Sequence, residues 1–328
     1  MKIVVDAMGG DFAPQNVIAG VVDAVKAYRV PIVLVGITER VEAELKKYKY
    51  PRNLIEIIHA PEVVEMDDPA SAPIRQKKNS SITIGVGLLK KDGYDAFISA
   101  GNTGAVVAAS TIVLGMIPGV DRPGIGCIIP TLQKFSFMVD VGANTAAKPE
   151  HLLQYAKMAK VYAHLVLGIE KPGVGLLNIG SEECKGTDLE KEAHELLEKG
   201  EPDFIGNIEA NEIFTGKASC IVCDGYVGNV VLKASEGLME SVGILMKREI
   251  KKNPIAILGA LLLKSSLSEA KKSIDYSEYG GAPLLGVDGL VLISHGRSSP
   301  KAIKHAIRAA IREVEHDILG KIKAETSK

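Results

Sequence analysis

The stretch Ile3-Val4-Val5-Asp6-Ala7-Met8-Gly9-Gly10-Asp11 joins a short aliphatic strand to a glycine-rich polar loop, and a helix is predicted directly after it, over 14–27. The same order of strand, loop and helix returns along the chain, for example over 95–114 and 175–198. Strands that alternate with helices of this length are typical of an α/β fold, in which helices cover both faces of a largely parallel sheet.

Four of the predicted strands end in such loops, which supply most of the candidate ligand-binding residues. In a parallel sheet the carboxyl ends of the strands lie at one edge, so we expect the four loops to converge on one cleft. Glycine lets backbone N–H groups approach an anion, and each following helix adds its positive dipole end. The pattern favours a phosphate-bearing or phosphate-like ligand over ordinary strand-to-helix turns. The candidates are Gly9, Gly10, Asp11, Gly101, Asn102, Thr103, Gly104, Gly180, Ser181, Lys185, Gly186 and the run 225–229.

The composition and the missing motifs exclude several classes of protein. The 328 residues are 46% hydrophobic and 24% charged with a net charge of -1, which indicates a folded protein without the basic surface that nucleic acid requires. No dinucleotide fingerprint, P-loop or nucleophile elbow occurs. The histidines and cysteines lack metal-ligand spacing, so we expect neither a metal nor a cofactor.

One apolar run stands out from an otherwise ordinary chain. The amino end opens directly on a strand, and no uncharged apolar run reaches the ~18 residues of a spanning helix, so we expect a cytoplasmic protein. In the run 254–263, however, the large aliphatic residues share one helical arc, with lysines on both sides. Such an arc is either buried at a dimer interface or lies in an anionic membrane surface. Its members are Ile255, Ile257, Leu258, Leu261 and Leu262.

Two further features carry charge or titratable groups. His295 follows the predicted strand 290–294 just before the last helix, where a capping or core role and a catalytic role are both open. Arg75, Lys77 and Lys78 lie in a polar stretch before another helix. This stretch is either a solvated loop or a site for an anion or an acidic partner.

The loops together resemble those of one family, the PlsX phosphate acyltransferases. The resemblance runs from Met1 to about Ala310, and six motifs in order carry it. In one place the chain departs from the family pattern, because Ala210-Asn211 stands where Gly-Arg is expected. The motifs are VDAMGGD over 5–11, SAGNTGA over 99–105, DVGAN over 140–144, LNIGSEE with Lys185-Gly186 over 177–186, DGYVGNV over 224–230 and YGGAPLLG over 279–286.

The resemblance implies a fold similar to isocitrate dehydrogenases and phosphotransacetylases. This is a three-layer α/β/α arrangement over 1–328 with one mixed, largely parallel sheet shared by two intertwined halves; with it we expect a protruding helical segment over 244–275. It also implies a homodimer that attaches loosely to an anionic membrane surface. The implied activity moves a long acyl group from acyl carrier protein to inorganic phosphate. The acyl phosphate then passes to a membrane glycerol-phosphate acyltransferase in phospholipid synthesis.

Phosphate is itself the nucleophile in that reaction, so no serine or cysteine triad is needed. The enzyme holds a dianion beside a thioester carbonyl and stabilises the developing oxyanion. The predicted catalytic residues are Lys185, Asn229, His295 and Asn144, and Asp140 joins the predicted phosphate or acyl-phosphate site. Predicted carrier-protein contacts are Arg75, Lys77 and Lys78, with Lys247, Arg248, Lys251 and Lys252 as a second patch.

Two other functions remain open from the sequence. A phosphotransacetylase-like enzyme that uses short acyl-CoA would need the same fold and the same phosphate loops. A non-catalytic membrane-surface protein could be built around the run 254–263. The acyl donor distinguishes the phosphotransacetylase-like enzyme from the carrier-protein-dependent one. The formation of any acyl phosphate distinguishes an enzyme from the non-catalytic protein.

Overall fold

A computed structural model describes residues 1–265 and 280–327 and contains one 11-stranded sheet. The strands are β1 Ile3–Asp6, β2 Ile32–Gly36, β3 Ile55–His59, β4 Ala96–Ser99, β5 Gly124–Thr131, β6 Lys134–Val139, β7 Val174–Asn178, β8 Phe204–Glu209, β9 Cys220–Val222, β10 Ala282–Leu285 and β11 Leu290–Ile293. The helices are α1 Gln15–Tyr28, α2 Thr38–Leu45, α3 Ala72–Arg75, α4 Ser81–Leu88, α5 Thr103–Val113, α6 Pro149–Leu167, α7 Asp188–Gly200, α8 Gly225–Lys251, α9 Pro254–Leu262, α10 Pro300–Glu315 and α11 Ile318–Thr326. Two 3-10 helices lie at Arg52–Leu54 and Ala210–Thr215.

The sheet consists of two parallel stretches that run in opposite directions. Its order is β3-β2-β1-β4-β11-β10-β5-β6-β9-β7-β8. The pairs β11–β10, β10–β5 and β5–β6 are antiparallel, and all other neighbours are parallel. An odd number of antiparallel pairs reverses the strand direction between the two stretches. The predicted mixed, largely parallel sheet is confirmed.

This reversal gives the sheet two functional edges. We call the edge at the carboxyl ends of β1, β4 and β11 the first edge, and the edge at the carboxyl ends of β6, β9 and β7 the second edge. The prediction that all four glycine loops meet at one edge is wrong: the loops at 9–11 and 101–104 lie at the first edge, and those at 180–186 and 225–229 at the second. The four loops would converge only if their strands ran in one direction, but the three antiparallel pairs between the two stretches reverse it.

Helices cover both faces of the sheet and form three layers with it. Helices α1 and α10 bury one apolar face against β1, β2 and β4, while α4 and α5 pack on the opposite face. Helix α6 covers β6 and β9 in the second stretch. The close approach of α10 to α1 requires Gly20, where a methyl group would lie 2.5 Å from the carbonyl oxygen of Pro300. The core is mainly aliphatic.

Helices α8 and α9 contrast with this packing because most of their side chains are exposed. In α8 only Gly225 and Gly228 are buried. In α9 no residue is buried, and Ile255 is 80% exposed. The predicted protruding segment 244–275 includes the carboxyl end of α8 and the whole of α9, but its part from 266 onwards lies outside the described residues. In 1–265 and 280–327 no helix is both long and apolar enough to cross a membrane.

Candidate active site

Asp6 organises the first edge from the end of β1. Its carboxylate is buried and accepts hydrogen bonds from the backbone N–H of Met8 at 3.0 Å and from the Ser99 hydroxyl at 2.7 Å. Ser99 Oγ in turn accepts the N–H of Gly101 at 3.0 Å. The loops after β1 and β4 therefore touch, and a methyl group at Gly9 would lie 2.6 Å from the backbone nitrogen of Gly101.

The loop after β11 closes the first edge and contains His295. Asp11 donates its N–H to the carbonyl of Gly296 at 2.8 Å, so the structure brings His295 together with the predicted loop 9–11. The Arg297 N–H donates to His295 Nδ1 at 3.1 Å, which leaves the proton of the neutral ring on Nε2. Burial lowers the pKa of His295, with the positive charge of Lys233 adding to the shift. At neutral pH, His295 can therefore offer a neutral Nε2–H donor.

The side chain of Asn102, predicted to bind phosphate, is already occupied. Its Oδ1 accepts the N–H of Ala105 at 3.0 Å and caps α5, and its Nδ2 donates to the carbonyls of Met66 at 3.1 Å and Asp68 at 2.8 Å. Asn102 thus fixes the neighbouring loop. In the described part of the chain, the backbone N–H groups of Thr103 and Gly104 have no acceptor, so the amino end of α5 can still bind an anion.

Asp140 plays the same part at the second edge that Asp6 plays at the first. Its fully buried carboxylate accepts N–H bonds from Ile125, Gly142 and Ala143 at 2.9 Å each and from Asn144 at 2.7 Å. Burial raises the pKa of Asp140, and the four backbone bonds oppose that shift. The carboxylate therefore anchors this loop through four backbone N–H groups. Its part in the phosphate or acyl-phosphate site stays a prediction.

Asn144 and Asn229 lie on either side of this anchor. The Asn144 amide nitrogen is 3.2 Å from His151 Nδ1 and donates to the Tyr155 hydroxyl at 3.3 Å, so both of its protons are engaged. The Asn144 carbonyl accepts the N–H of Gly225, the first residue of α8, at 3.0 Å. One turn later Asn229 faces Gly142 and is exposed to solvent. Among the described residues the Asn229 side chain has no hydrogen-bond partner, whereas Asn144 positions the loop.

The loop that contains Lys185 follows β7 at the same edge. Asn178 donates to the Lys185 carbonyl at 3.1 Å, and Asn207 donates to the Glu182 carbonyl at 2.9 Å. Glycine is required at 186, where φ is +92° and a methyl group would meet Asn178 Oδ1 at 2.8 Å. The Lys185 side chain is exposed and forms no ion pair with any described residue. Ser181 in the same loop is also exposed.

Helix α8 connects the two edges. It begins at the second edge after Asp224, whose carboxylate accepts the N–H groups of Tyr226 at 2.8 Å and Val227 at 3.1 Å. Lys233 and Glu236, which are paired at 2.8 Å, lie close enough to His295 for their charges to act on its pKa. From Asn229 to Glu236 the helix advances by only about 10 Å. Three predicted catalytic residues thus lie at the second edge, and α8 leads from them to His295 at the first.

The predicted docking residues differ in their exposure and in their ion pairs. Arg75 and Lys78 are exposed, while Lys77 forms an ion pair with Asp68. In the second patch Arg248 and Lys252 both pair with Glu249, at 3.2 and 2.8 Å. Arg75 and Lys78, with Lys247 and Lys251 of the second patch, are exposed and form no ion pair with any described residue.

The sequence did not reveal the anchoring roles of Asp6 and Asp140 or the contact of His151 with Asn144. An aspartate at the end of a strand, two or three residues before glycine, is the signal that both positions share, and of the two only Asp140 was predicted to belong to a ligand site. The described residues contain no group of three histidine, cysteine or acidic side chains placed to hold a metal ion. Cys127, Cys220 and Cys223 are buried, and burial raises the pKa of Cys127 to about 12.

Solved structures with the same fold define the class of protein. A phosphotransacetylase from Streptococcus pyogenes matches with a TM-score of 0.65 at 18% identity and covers 96% of this chain and 94% of its own. A 4-hydroxythreonine-4-phosphate dehydrogenase from Klebsiella pneumoniae matches with a TM-score of 0.55 at 11% identity over 96% of this chain and 99% of its own. At these identities the likeness shows the fold alone, and it confirms the predicted fold class.

Sequence relatives then define the family. A family model described as "Fatty acid synthesis protein" matches residues 1–321. The phosphate acyltransferase of Alkaliphilus oremlandii is 49% identical over 319 residues, which cover 97% of this chain and 95% of that protein. The phosphate acyltransferase of Halothermothrix orenii is 44% identical over 100% of this chain and 99% of its own. The chain belongs to this family of phosphate acyltransferases of fatty acid synthesis, so the predicted family and enzyme class are confirmed.

Proposed function

We propose that this enzyme transfers a long acyl group from acyl carrier protein to inorganic phosphate. The observation that carries the proposal is the close similarity to phosphate acyltransferases along nearly the whole chain. A phosphate oxygen attacks the thioester carbonyl, a C–O bond forms, and the C–S bond breaks. The carrier thiol leaves with a proton, and acyl phosphate is the product.

The free groups at the two edges suit the two charges that this reaction must stabilise. Lys185, a cation without a carboxylate partner among the described residues, is suited to hold the phosphate dianion. The neutral Nε2–H of His295 is suited to donate to the oxyanion that develops on the carbonyl. We infer that both edges serve one reaction, because α8 links Asn229 at the second edge to the surroundings of His295.

The choice of donor tests this function. Purified enzyme is incubated with phosphate and with palmitoyl acyl carrier protein or palmitoyl- and acetyl-CoA, and acyl phosphate is measured directly. We expect acyl phosphate from the carrier-protein donor and much less from either CoA ester. Preference for acetyl-CoA would instead make the chain a phosphotransacetylase. No acyl phosphate from any donor would reject the proposal.

The exposed face of α8 supports the proposed homodimer. Leu238, Val242 and Leu245 recur at helical spacing and are 65%, 40% and 47% exposed. Such an apolar stripe on a long helix is typical of a helix that packs against a partner. Sedimentation analysis should give a dimer for the wild type and a monomer for Leu245→Glu. A monomeric wild type would contradict the proposal.

Helix α9 supports a loose attachment to anionic membranes. Ile255, Leu258 and Leu262 are 80%, 60% and 79% exposed, and Lys251 and Lys252 precede the helix. Release at the bilayer would suit a product with a long chain that a membrane glycerol-phosphate acyltransferase consumes. Leu258→Glu should abolish binding to anionic liposomes and leave a dimer that is active on the carrier-protein donor. Aggregation or dissociation of this variant would show that the segment is a protein interface.

A further inference from the structure

The side chains behind the second-edge loop form a hydrogen-bond network that has no direct part in the proposed acyl transfer. His151 and Tyr155 lie on α6 and are 5% and 0% exposed, while Asn144 stands between them and the loop. A buried histidine and a buried tyrosine that converge on one amide restrict its orientation, because each polar atom needs a compatible partner.

The backbone N–H of Lys148 decides the donors and acceptors in this network, in which Lys148 and Asn144 share the single lone pair of His151 Nδ1. The backbone N–H of Lys148 donates to His151 Nδ1 at 3.0 Å, so Nδ1 carries no proton and the ring is the Nε2–H tautomer. The Tyr155 hydroxyl donates to the carbonyl of Pro123 at 3.1 Å and can only accept from Asn144. Both partners thus require the NH2 group of Asn144, and its oxygen is left to accept the N–H of Ala146 at 3.3 Å.

We propose that His151 and Tyr155 are positioning residues, which hold the Asn144 carboxamide and through it the loop 140–144 and the amino end of α8. The Asn144 backbone connects the held side chain to the loop and to α8, because its N–H donates to Asp140 and its carbonyl accepts the N–H of Gly225. Asn229 lies one turn further along α8. The kinetic part of the proposal rests on the proposed acyl transfer.

His151 is suited to this task because its surroundings keep it neutral. Burial lowers its pKa, and the charges around it partly cancel. A proton on Nδ1 would face the N–H of Lys148 and the NH2 of Asn144, so the network excludes the imidazolium form. The charged groups that face His151 are Asp121 and Glu150, which raise its pKa, and Arg122 and Lys148, which lower it.

The kinetic test compares three variants with a matched control. His151→Ala should lower kcat for acyl phosphate formation by about 10- to 100-fold, with the KM for the carrier-protein donor unchanged. His151→Gln, whose side-chain oxygen can accept both N–H groups, should recover most of that loss. Tyr155→Phe keeps the volume and should lower kcat by roughly 3- to 10-fold. His164→Ala, at an exposed position of the same helix, should leave kcat unchanged.

A spectroscopic test does not depend on activity. In 15N-histidine NMR of the wild type at neutral pH, the resonance that is lost in His151→Gln should belong to a neutral Nε2–H tautomer. An Nδ1–H tautomer or an imidazolium would overturn the proposal, as would full kcat in His151→Ala or a glutamine variant no better than alanine. If the wild type forms no acyl phosphate, the proposed function fails, but the network can still be tested by NMR. The His151 resonance is then compared between the wild type and Tyr155→Phe. An unchanged His151 resonance in this variant would overturn the proposed network.

Discussion

The two edges of the sheet are built alike but leave different groups free. At each edge a buried aspartate at a strand end, Asp6 or Asp140, accepts the backbone N–H groups of the following glycine loop. The first edge leaves the neutral His295 Nε2 and the amino end of α5 available. The second edge leaves the Lys185 ammonium group available.

This difference shows what decides the use of a glycine-rich loop. The N–H groups of such a loop suit an anion, but in this protein the anion is a side chain of the chain itself. Ligand binding therefore falls to the groups that the aspartates do not occupy. A cation is free at one edge and a neutral donor at the other, which is the division of charge that phosphate binding and oxyanion stabilisation need.

The anchors themselves should give the largest effect. Asp140→Asn places an NH2 donor against backbone N–H groups, which can only donate. We therefore expect a loss of about 3 kcal/mol or more in the free energy of unfolding. Asp6→Asn should cost roughly 1–2 kcal/mol, because the Ser99 hydroxyl can rotate and accept the new donor. Urea unfolding of both variants measures the difference. Equal losses in the free energy of unfolding would show that the different hydrogen-bond partners of Asp6 and Asp140 do not matter.

Removal of the free cation should give the next largest effect. Lys185→Ala should raise the KM for phosphate or lower kcat, with a combined loss of about 2–3 kcal/mol in kcat/KM. Lys191→Ala, at an exposed position on α7, is the matched control and should be neutral. Unchanged phosphate kinetics in a folded Lys185→Ala would exclude Lys185 as the phosphate ligand.

The first edge should show the partly desolvated His295 in a pH titration of stability. Because the pKa of His295 is lowered on folding, the folded state disfavours its proton, and the free energy of unfolding should fall as the pH drops below about 6.5. Because the side chain is exposed, solvent screening keeps the contribution of this one group small. His295→Gln should flatten this dependence, and the exposed His316→Gln should not. An identical pH profile in His295→Gln would contradict the assignment.

The docking residues should give the smallest effect. Lys78→Ala should raise the donor KM by about 2- to 5-fold at low salt, and the difference should vanish at high salt. Lys77→Ala should do less, because Lys77 is already paired with Asp68. Steady-state kinetics over a range of ionic strength measures both. A donor KM that is independent of salt would remove the acidic-partner interpretation.

Much of the secondary structure follows from local patterns. Helix α6 carries ordinary local signals at both ends, with Pro149 as its first residue and Gly168, at a left-handed φ of 70°, as its C-cap. Apolar residues recur at helical spacing from Ile303 to Ile318, as in a single helix, but α10 ends at Glu315, and Asp317, with φ of 50°, begins α11. The spacing of apolar residues does not show this break, because Ile318 is buried in the same way as the apolar residues of α10.

The arrangement of the site depends on pairing that no local pattern contains. Strand β10 was missed, because it is four residues long and includes Pro283, which cannot donate to a ladder. This strand and β5 reverse the sheet and place Lys185 and His295 at different edges. The sequence identified the free groups, but only the structure showed which of them lie together and which N–H groups are already used.

The most direct test of the claim that both edges serve one reaction is a double-mutant cycle between Lys185 and His295. Acyl phosphate formation from palmitoyl acyl carrier protein is measured for Lys185→Ala, His295→Gln and the double variant. Groups that act in one transition state give non-additive losses in kcat/KM, so the cycle should show a coupling of more than about 0.5 kcal/mol. Strictly additive losses would mean that the two edges act independently and would contradict the shared site.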